Sequence, residues 1–138
     1  AKAKHMIKDC KLIAEKNEIK FKFNSYFPIR SLNLMRGVLV AEEDNIKNYY
    51  IDNIFNTIWQ DGLNMNDEII IQKVLKNLNA NPKTFALRST SSLIKDSLRK
   101  KTTEAYEKGI FGAPTFVVNN KIFWGQDRLE FALKEASK

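Results

Sequence analysis

GIFGAPTFVVNNKIFWGQDRL, residues 109–129, carries the chain out of a helical pattern, through a β pattern and into a last helix. Gly109 closes a long helical pattern and supplies the left-handed residue that commonly ends a helix. Thr115-Phe116-Val117-Val118 is rich in β-branched and aromatic residues and reads as a strand. Asn119-Asn120 tolerates positive φ as a two-residue turn, and Ile122-Phe123-Trp124 completes a hairpin. Asp127, with Glu130 three residues on, has the form of a capping box opening a last helix. That helix should turn Leu129, Ala132, Leu133 and Ala136 inward. Residues 91–138 therefore read as helix–strand–strand–helix. A two-stranded hairpin is marginal alone, and Thr115–Val118 is apolar enough for a buried central strand. Further strands are expected from a segment upstream of Ala1 or from another chain.

Upstream of Gly109 the period is helical. A long helix is predicted from Thr90 to Lys108, with Ile94, Leu98 and Ala105 inward. Asn81-Pro82 opens a short helix before it, because proline is preorganised for the first helical position. Asn66 should cap a helix with Ile70, Val74, Leu75 and Leu78 as its inner stripe, and Gly62 should end the one before. That earlier helix begins near Asp44 and carries a broad apolar face of Ile46, Tyr50, Ile54 and Ile58, joined by Tyr49, Phe55 and Trp59. Ser31 should cap a helix running to about Ala41, with Leu32, Met35 and Leu39 on one face. Ile19–Phe23 alternates apolar and basic residues and reads as extended. Residues 3–16 form a first helix with Met6, Cys10, Ile13 and Ala14 on one face, so Cys10 is expected to pack as a small apolar residue. No internal repeat is visible.

The 138 residues, 43% apolar, suffice for a real core, and no apolar run approaches the roughly 20 residues a membrane helix needs. A single cysteine excludes an intramolecular disulfide and a cysteine-based zinc site. It also favours a reducing, cytoplasmic location. His5, the one histidine, stands near a chain end, so no metal centre or histidine-based triad is expected. The net charge of +7 is concentrated in residues 1–22, net +4, and residues 83–101, net +5. No arginine–aromatic interleaving or nucleic-acid signature accompanies these clusters, so they read as solvated helix faces. Neither nucleic acid nor membrane is expected as a partner.

Three features of the last block can carry chemistry. Pro114 stands directly ahead of a strand, where proline is tolerated. A trans turn would be rigid punctuation, whereas a cis bond would turn the backbone N–H and C=O of Ala113 toward an extended ligand. Gly125-Gln126-Asp127-Arg128 lies at a helix start, an anion site by its unpaired N–H groups. Asp127 can be only a cap, or it can take a ligand ammonium while the N–H groups hold a carboxylate, as an α-amino acid group requires. Trp124 at the hairpin exit can be core or a wall for an aromatic substrate.

The run Gly109–Val118, followed by Phe123-Trp124-Gly125-Gln126-Asp127-Arg128-Leu129, resembles the C-terminal signature of the 2-hydroxychromene-2-carboxylate isomerase family. That family is grouped with the kappa-class glutathione transferases and with DsbA-like thioredoxin-fold proteins. Lys4-His5-Met6-Ile7-Lys8-Asp9 resembles its first shared helix start, and Phe27-Pro28 with Ser31-Leu32 and Arg36 resembles its Phe-Pro-x-x-Ser-Leu segment. The resemblance implies an α/β, thioredoxin-like fold interrupted by an all-helical insertion. Residues 1–90 would be the insertion and 91–138 the C-terminal half of the thioredoxin-like domain. It implies a cis Ala113-Pro114 pairing with the cysteinyl part of glutathione. Gln126 and Asp127 would hold the γ-glutamyl end, and Trp124 would lie against the substrate. Lys2 and Lys4 would lie towards an anionic group. Arg30 departs from the family, which commonly has Asn there. The family's thiolate-activating serine has no counterpart among Ser25, Ser31, Ser89, Ser91 and Ser92. No catalytic residue is therefore expected in this chain, and that serine is expected upstream of Ala1.

The implied activity is glutathione-dependent isomerisation in aromatic degradation: thiolate addition to an aromatic keto acid, rotation, and elimination. Kappa-like glutathione transfer, DsbA-like disulfide exchange and a non-catalytic thioredoxin-fold binding protein are the alternatives. The implied partners are glutathione and a small aromatic acid, with a homodimer left open.

Overall fold

A computed structural model describes residues 2–138. The chain divides into two compact units, the boundary falling between Leu98 and Arg99.

The first unit is helical. Its elements are α1 (Lys2–Lys16), α2 (Leu32–Glu43), α3 (Lys47–Trp59), α4 (Glu68–Asn77), α5 (Pro82–Ser89) and the start of α6 (Ser92–Glu107). The buried core draws on Leu39, Val40, Tyr50, Ile54, Met65 and Phe85, among others. On α3 the face is narrower than expected: Tyr50, Ile54 and Ile58 are buried and Trp59 is half-buried, but Tyr49 and Phe55 are exposed, because they lie to the side of that stripe. On α2 the register differs from expectation, since Leu34, Leu39, Val40 and Ala41 are buried but Leu32 and Met35 are exposed. Gly37 decides this. A Cβ there would lie 2.7 Å from Tyr50 Cζ and 3.2 Å from Phe85 Cε1, so only glycine lets α2 approach α3 and α5 on that side. Ser31 makes no side-chain cap.

Asp67, not Asn66, caps α4 by accepting from Ile69 N at 2.9 Å. Asn66 Oδ1 instead accepts from Arg30 N at 2.8 Å. Asn81 caps α5 as predicted, with Pro82 at the first helical position. Ile19–Phe23 is extended but joins no sheet, and Lys22 N donates to Trp59 O at 2.6 Å. Beside it Asn24 is fully buried, its Nδ2 donating to Ile58 O at 2.9 Å and Leu63 O at 2.8 Å. Those bonds offset the cost of burying an amide. Cys10 is exposed, contrary to the expectation that it packs, as are Met6 and Ile13; of that apolar face only Ala14 is buried.

The second unit holds the rest of α6, the hairpin β1 (Thr115–Val118) and β2 (Lys121–Trp124), a 3-10 turn at Gln126–Arg128, and α7 (Leu129–Ala136). The strands pair antiparallel, with Thr115 opposite Trp124 and Val118 opposite Lys121. Asn119 and Asn120 both have positive φ, 50° and 60°, as a tight hairpin turn requires. β1 is half-buried rather than fully buried, and α7 buries Ala132 and Glu135 while Leu129 and Leu133 stay exposed. A ribbon of two strands has too little area to cover the whole apolar stripe of a helix. Glu135 accepts from Lys138 Nζ at 2.8 Å and Lys121 Nζ at 3.0 Å, and these bonds lower its pKa to about 2.

Candidate functional site

The three sequence features converge in the second unit. The Ala113-Pro114 peptide bond is cis. Gly125 N donates to Pro114 O at 2.9 Å, tying the proline loop to the Gly125-Gln126-Asp127 turn. Ala113 is exposed, and its backbone N–H and C=O make no hydrogen bond among the described residues. An extended ligand therefore finds one backbone donor and one acceptor at the same residue that no protein group occupies.

Gly125 has φ 105°, a conformation that favours glycine, and a Cβ there would lie 2.6 Å from Asp127 Oδ1. The tight approach brings the Asp127 carboxylate over the turn. Asp127 does not form the expected capping box: neither the 3-10 turn nor α7 has a side-chain cap. The turn starts one residue after Gly125, which leaves Asp127 inside it rather than before α7. Its Oδ2 accepts instead from Arg128 NH1 at 2.9 Å, and both side chains are solvent-exposed. The amides of Gln126 and Asp127 make no hydrogen bond among the described residues. A carboxylate and two unpaired amides thus sit within two residues, a pattern suited to an ammonium and a carboxylate on one carbon.

Trp124 is 54% exposed and is not core. Its indole lies so close to Gly112 that a Cβ there would meet Nε1 at 2.5 Å. Its ring centroid is 5.1 Å from that of Phe111, tilted by 57°. Phe111 escaped the sequence reading, and the signal available was an aromatic immediately before Gly112-Ala113-Pro114. The structure thus brings Ala113, Pro114, Trp124, Gln126 and Asp127 into one short region. Lys2 and Lys4 belong to α1 of the other unit and are exposed.

In the first unit the Phe27-Pro28 bond is also cis, and Phe23, Phe27 and Trp59 pack with ring centroids 5.7–6.1 Å apart. Among the described residues no three His, Cys, Asp or Glu side chains are grouped to hold a metal ion, and no helix is long and apolar enough to cross a membrane.

The family pattern of the DSBA-like thioredoxin domain matches residues 1–136. The chain is 28% identical over 130 residues to a 2-hydroxychromene-2-carboxylate isomerase of Sphingobium xenophagum, covering 94% of this chain and 66% of that protein. A protein of the same name from a Pseudomonas species is 28% identical over 123 residues, covering 89% and 57%. A solved 2-hydroxychromene-2-carboxylate isomerase superimposes with a TM-score of 0.86 at 24% identity, over 99% of this chain and 66% of that one. The chain thus spans about two thirds of the length of the Sphingobium relative. This mostly helical chain, with its hairpin and closing helix, belongs to the DSBA-like thioredoxin domain family.

Proposed function

We propose that this chain is the larger part of a glutathione-dependent isomerase acting on an aromatic keto acid of the 2-hydroxychromene-2-carboxylate kind. The observation that carries the reading is the hydrogen bond from Gly125 N to Pro114 O. It holds the unsatisfied backbone of Ala113 beside the carboxylate and free amides of Gln126 and Asp127. The cysteinyl backbone of glutathione pairs with Ala113. Its γ-glutamyl ammonium meets Asp127, and its γ-glutamyl carboxylate meets the two amides. Arg128 occupies Asp127 Oδ2, leaving Oδ1 for the ammonium. Trp124 and Phe111 give an aromatic wall for the substrate.

In the reaction, the glutathione sulfur adds to the conjugated carbon–carbon double bond and converts it to a single bond. Rotation about that bond follows, and the thiolate leaves as the double bond re-forms, so glutathione is regenerated. Thiolate formation needs a hydroxyl donor close to the sulfur. Of the serines in the first unit, Ser89 is committed, its Oγ donating to Phe85 O, and Ser91 Oγ accepts from Ile94 N. That donor is assigned to a serine outside these 138 residues. The working environment is cytoplasmic, where reduced glutathione is abundant.

Titration of the purified chain with glutathione, followed by amide NMR, tests the binding half. Saturable shifts at Ala113, Gln126 and Asp127 are expected, and Asp127→Ala should weaken affinity by about tenfold or more, the worth of one hydrogen bond to a charged group. Unchanged affinity would remove Asp127 from the site. Substrate with glutathione and this chain alone should show no turnover, and turnover would overturn the assignment of the activating serine. A glutathione conjugate seen by mass spectrometry, in the presence of the serine-bearing segment, would replace isomerisation with a kappa-like transfer.

A further inference from the structure

A groove of about 660 Å3 lies wholly inside the first unit, between α2, α3, α4 and α5. That volume falls in the range of about 300–1,000 Å3 typical of small-molecule sites. Its deeper lining is apolar, from Leu34, Ile71, Leu75, Phe85 and the ring of Tyr50. The buried hydroxyls there are already committed: Tyr50 OH donates to Leu34 O at 3.0 Å, and Ser89 Oγ donates to Phe85 O at 2.9 Å. A ligand's polar end therefore belongs at the rim. There Lys76 and Lys83 line the opening, and neither ammonium has a hydrogen-bond or ion-pair partner among the described residues. Among the described residues Glu68 is the one acid lining the groove, so the opening carries a net positive charge. The groove uses the Asn33–Leu34 side of α2, whereas the exposed Leu32 and Met35 project from other sides of that helix.

We infer that this groove is a binding site for an amphipathic organic carboxylate, its apolar body on Leu34, Leu75 and Phe85 and its carboxylate between Lys76 and Lys83. Charge selects the class. A neutral apolar ligand would leave both ammonium groups unused, and an organic cation would meet them with repulsion. The site stands apart from the proposed glutathione region in sequence and in chemistry, so binding here is read independently of any isomerase activity.

The test uses the 138-residue chain with octanoate and, as neutral control, 1-octanol, each followed by NMR. Octanoate should bind saturably at one site, with shifts concentrated at Leu34, Ile71, Leu75 and Phe85. The double substitution Lys76→Glu and Lys83→Glu should weaken octanoate at least tenfold and 1-octanol less than twofold. Ala86→Trp, which fills the groove from an exposed position on α5, should abolish both. Absence of saturable binding, shifts centred on other residues, or equal weakening of acid and alcohol in the lysine variant would each overturn the inference.

Discussion

Gly37→Ala is the substitution whose outcome the packing determines most sharply. Taken alone, helix propensity favours it: alanine in the middle of α2 should gain about 0.8–1 kcal/mol over glycine. The tertiary structure opposes that gain. The new methyl would overlap the Tyr50 hydroxyl and lie 2.7 Å from Tyr50 Cζ and 3.2 Å from Phe85 Cε1, in a region where both rings are buried. Overpacking of this kind costs about 1–3 kcal/mol. Moving Tyr50 also breaks its 3.0 Å bond to Leu34 O, worth about 0.5–1.5 kcal/mol. The balance is a net loss of about 1–3 kcal/mol. Urea unfolding followed by far-ultraviolet circular dichroism measures it. With a slope of about 2 kcal/mol per molar, the midpoint should fall by about 0.5–1.5 M. Tyr50→Leu removes both the hydroxyl and Cζ, so in its presence Gly37→Ala should cost much less, with a coupling of at least about 1 kcal/mol. A more stable Gly37→Ala protein, or strict additivity of the pair, would refute this account of how α2 packs.

Three further expectations concern separate features. The Glu135 pKa is held near 2 by Lys138 and Lys121, so its ionised form stabilises the second unit above the usual carboxylate pKa of about 4.5, and that contribution is lost as pH falls from there through about 2. A carboxyl NMR titration of Glu135 at its ordinary pKa would contradict the ion-pair geometry, and Glu135→Gln should flatten this part of the acid limb. Gly125→Ala forces a side chain into positive φ against Asp127 Oδ1 and should destabilise the second unit by about 1–2 kcal/mol or more, read from amide exchange of β1 and β2. Asp67→Ala and Asn81→Ala should each cost about 0.5–2 kcal/mol in urea unfolding, whereas Asp127→Ala, which caps nothing, should change stability by less than about 0.5 kcal/mol.

The apolar residues left at the surface have two physical causes. Met6, Cys10 and Ile13 on α1, and Leu129 and Leu133 on α7, were assigned inward because their spacing is helical and apolar. Periodicity identifies a face that can be buried, but burial needs an opposing surface; Ala14 and Ala132 find one, whereas these longer side chains are left exposed. Leu32 and Met35 failed for a different reason. Two overlapping apolar stripes run along α2, and glycine at position 37 selected the one that lets the backbone come close to Tyr50.

The local grammar of this protein was set by sequence alone. Each of those decisions is made within a few residues: the hairpin by two asparagines at positive φ between β-branched runs, the start of α5 by Asn81-Pro82, the α3 face by its 3.6-residue period. The resemblance carried by residues 109–129 named the fold class as well. Tertiary structure decided which polar groups serve whom. Asn66 gave up its cap to hold Arg30, and Asp67 took it. Asp127 left capping for Arg128 and the space above Gly125. Asn24 became a buried tie to the end of α3 and to the loop that follows it. Such choices depend on partners tens of residues away, or on a backbone turn that a one-dimensional pattern does not resolve, and so they emerge only when the chain is folded.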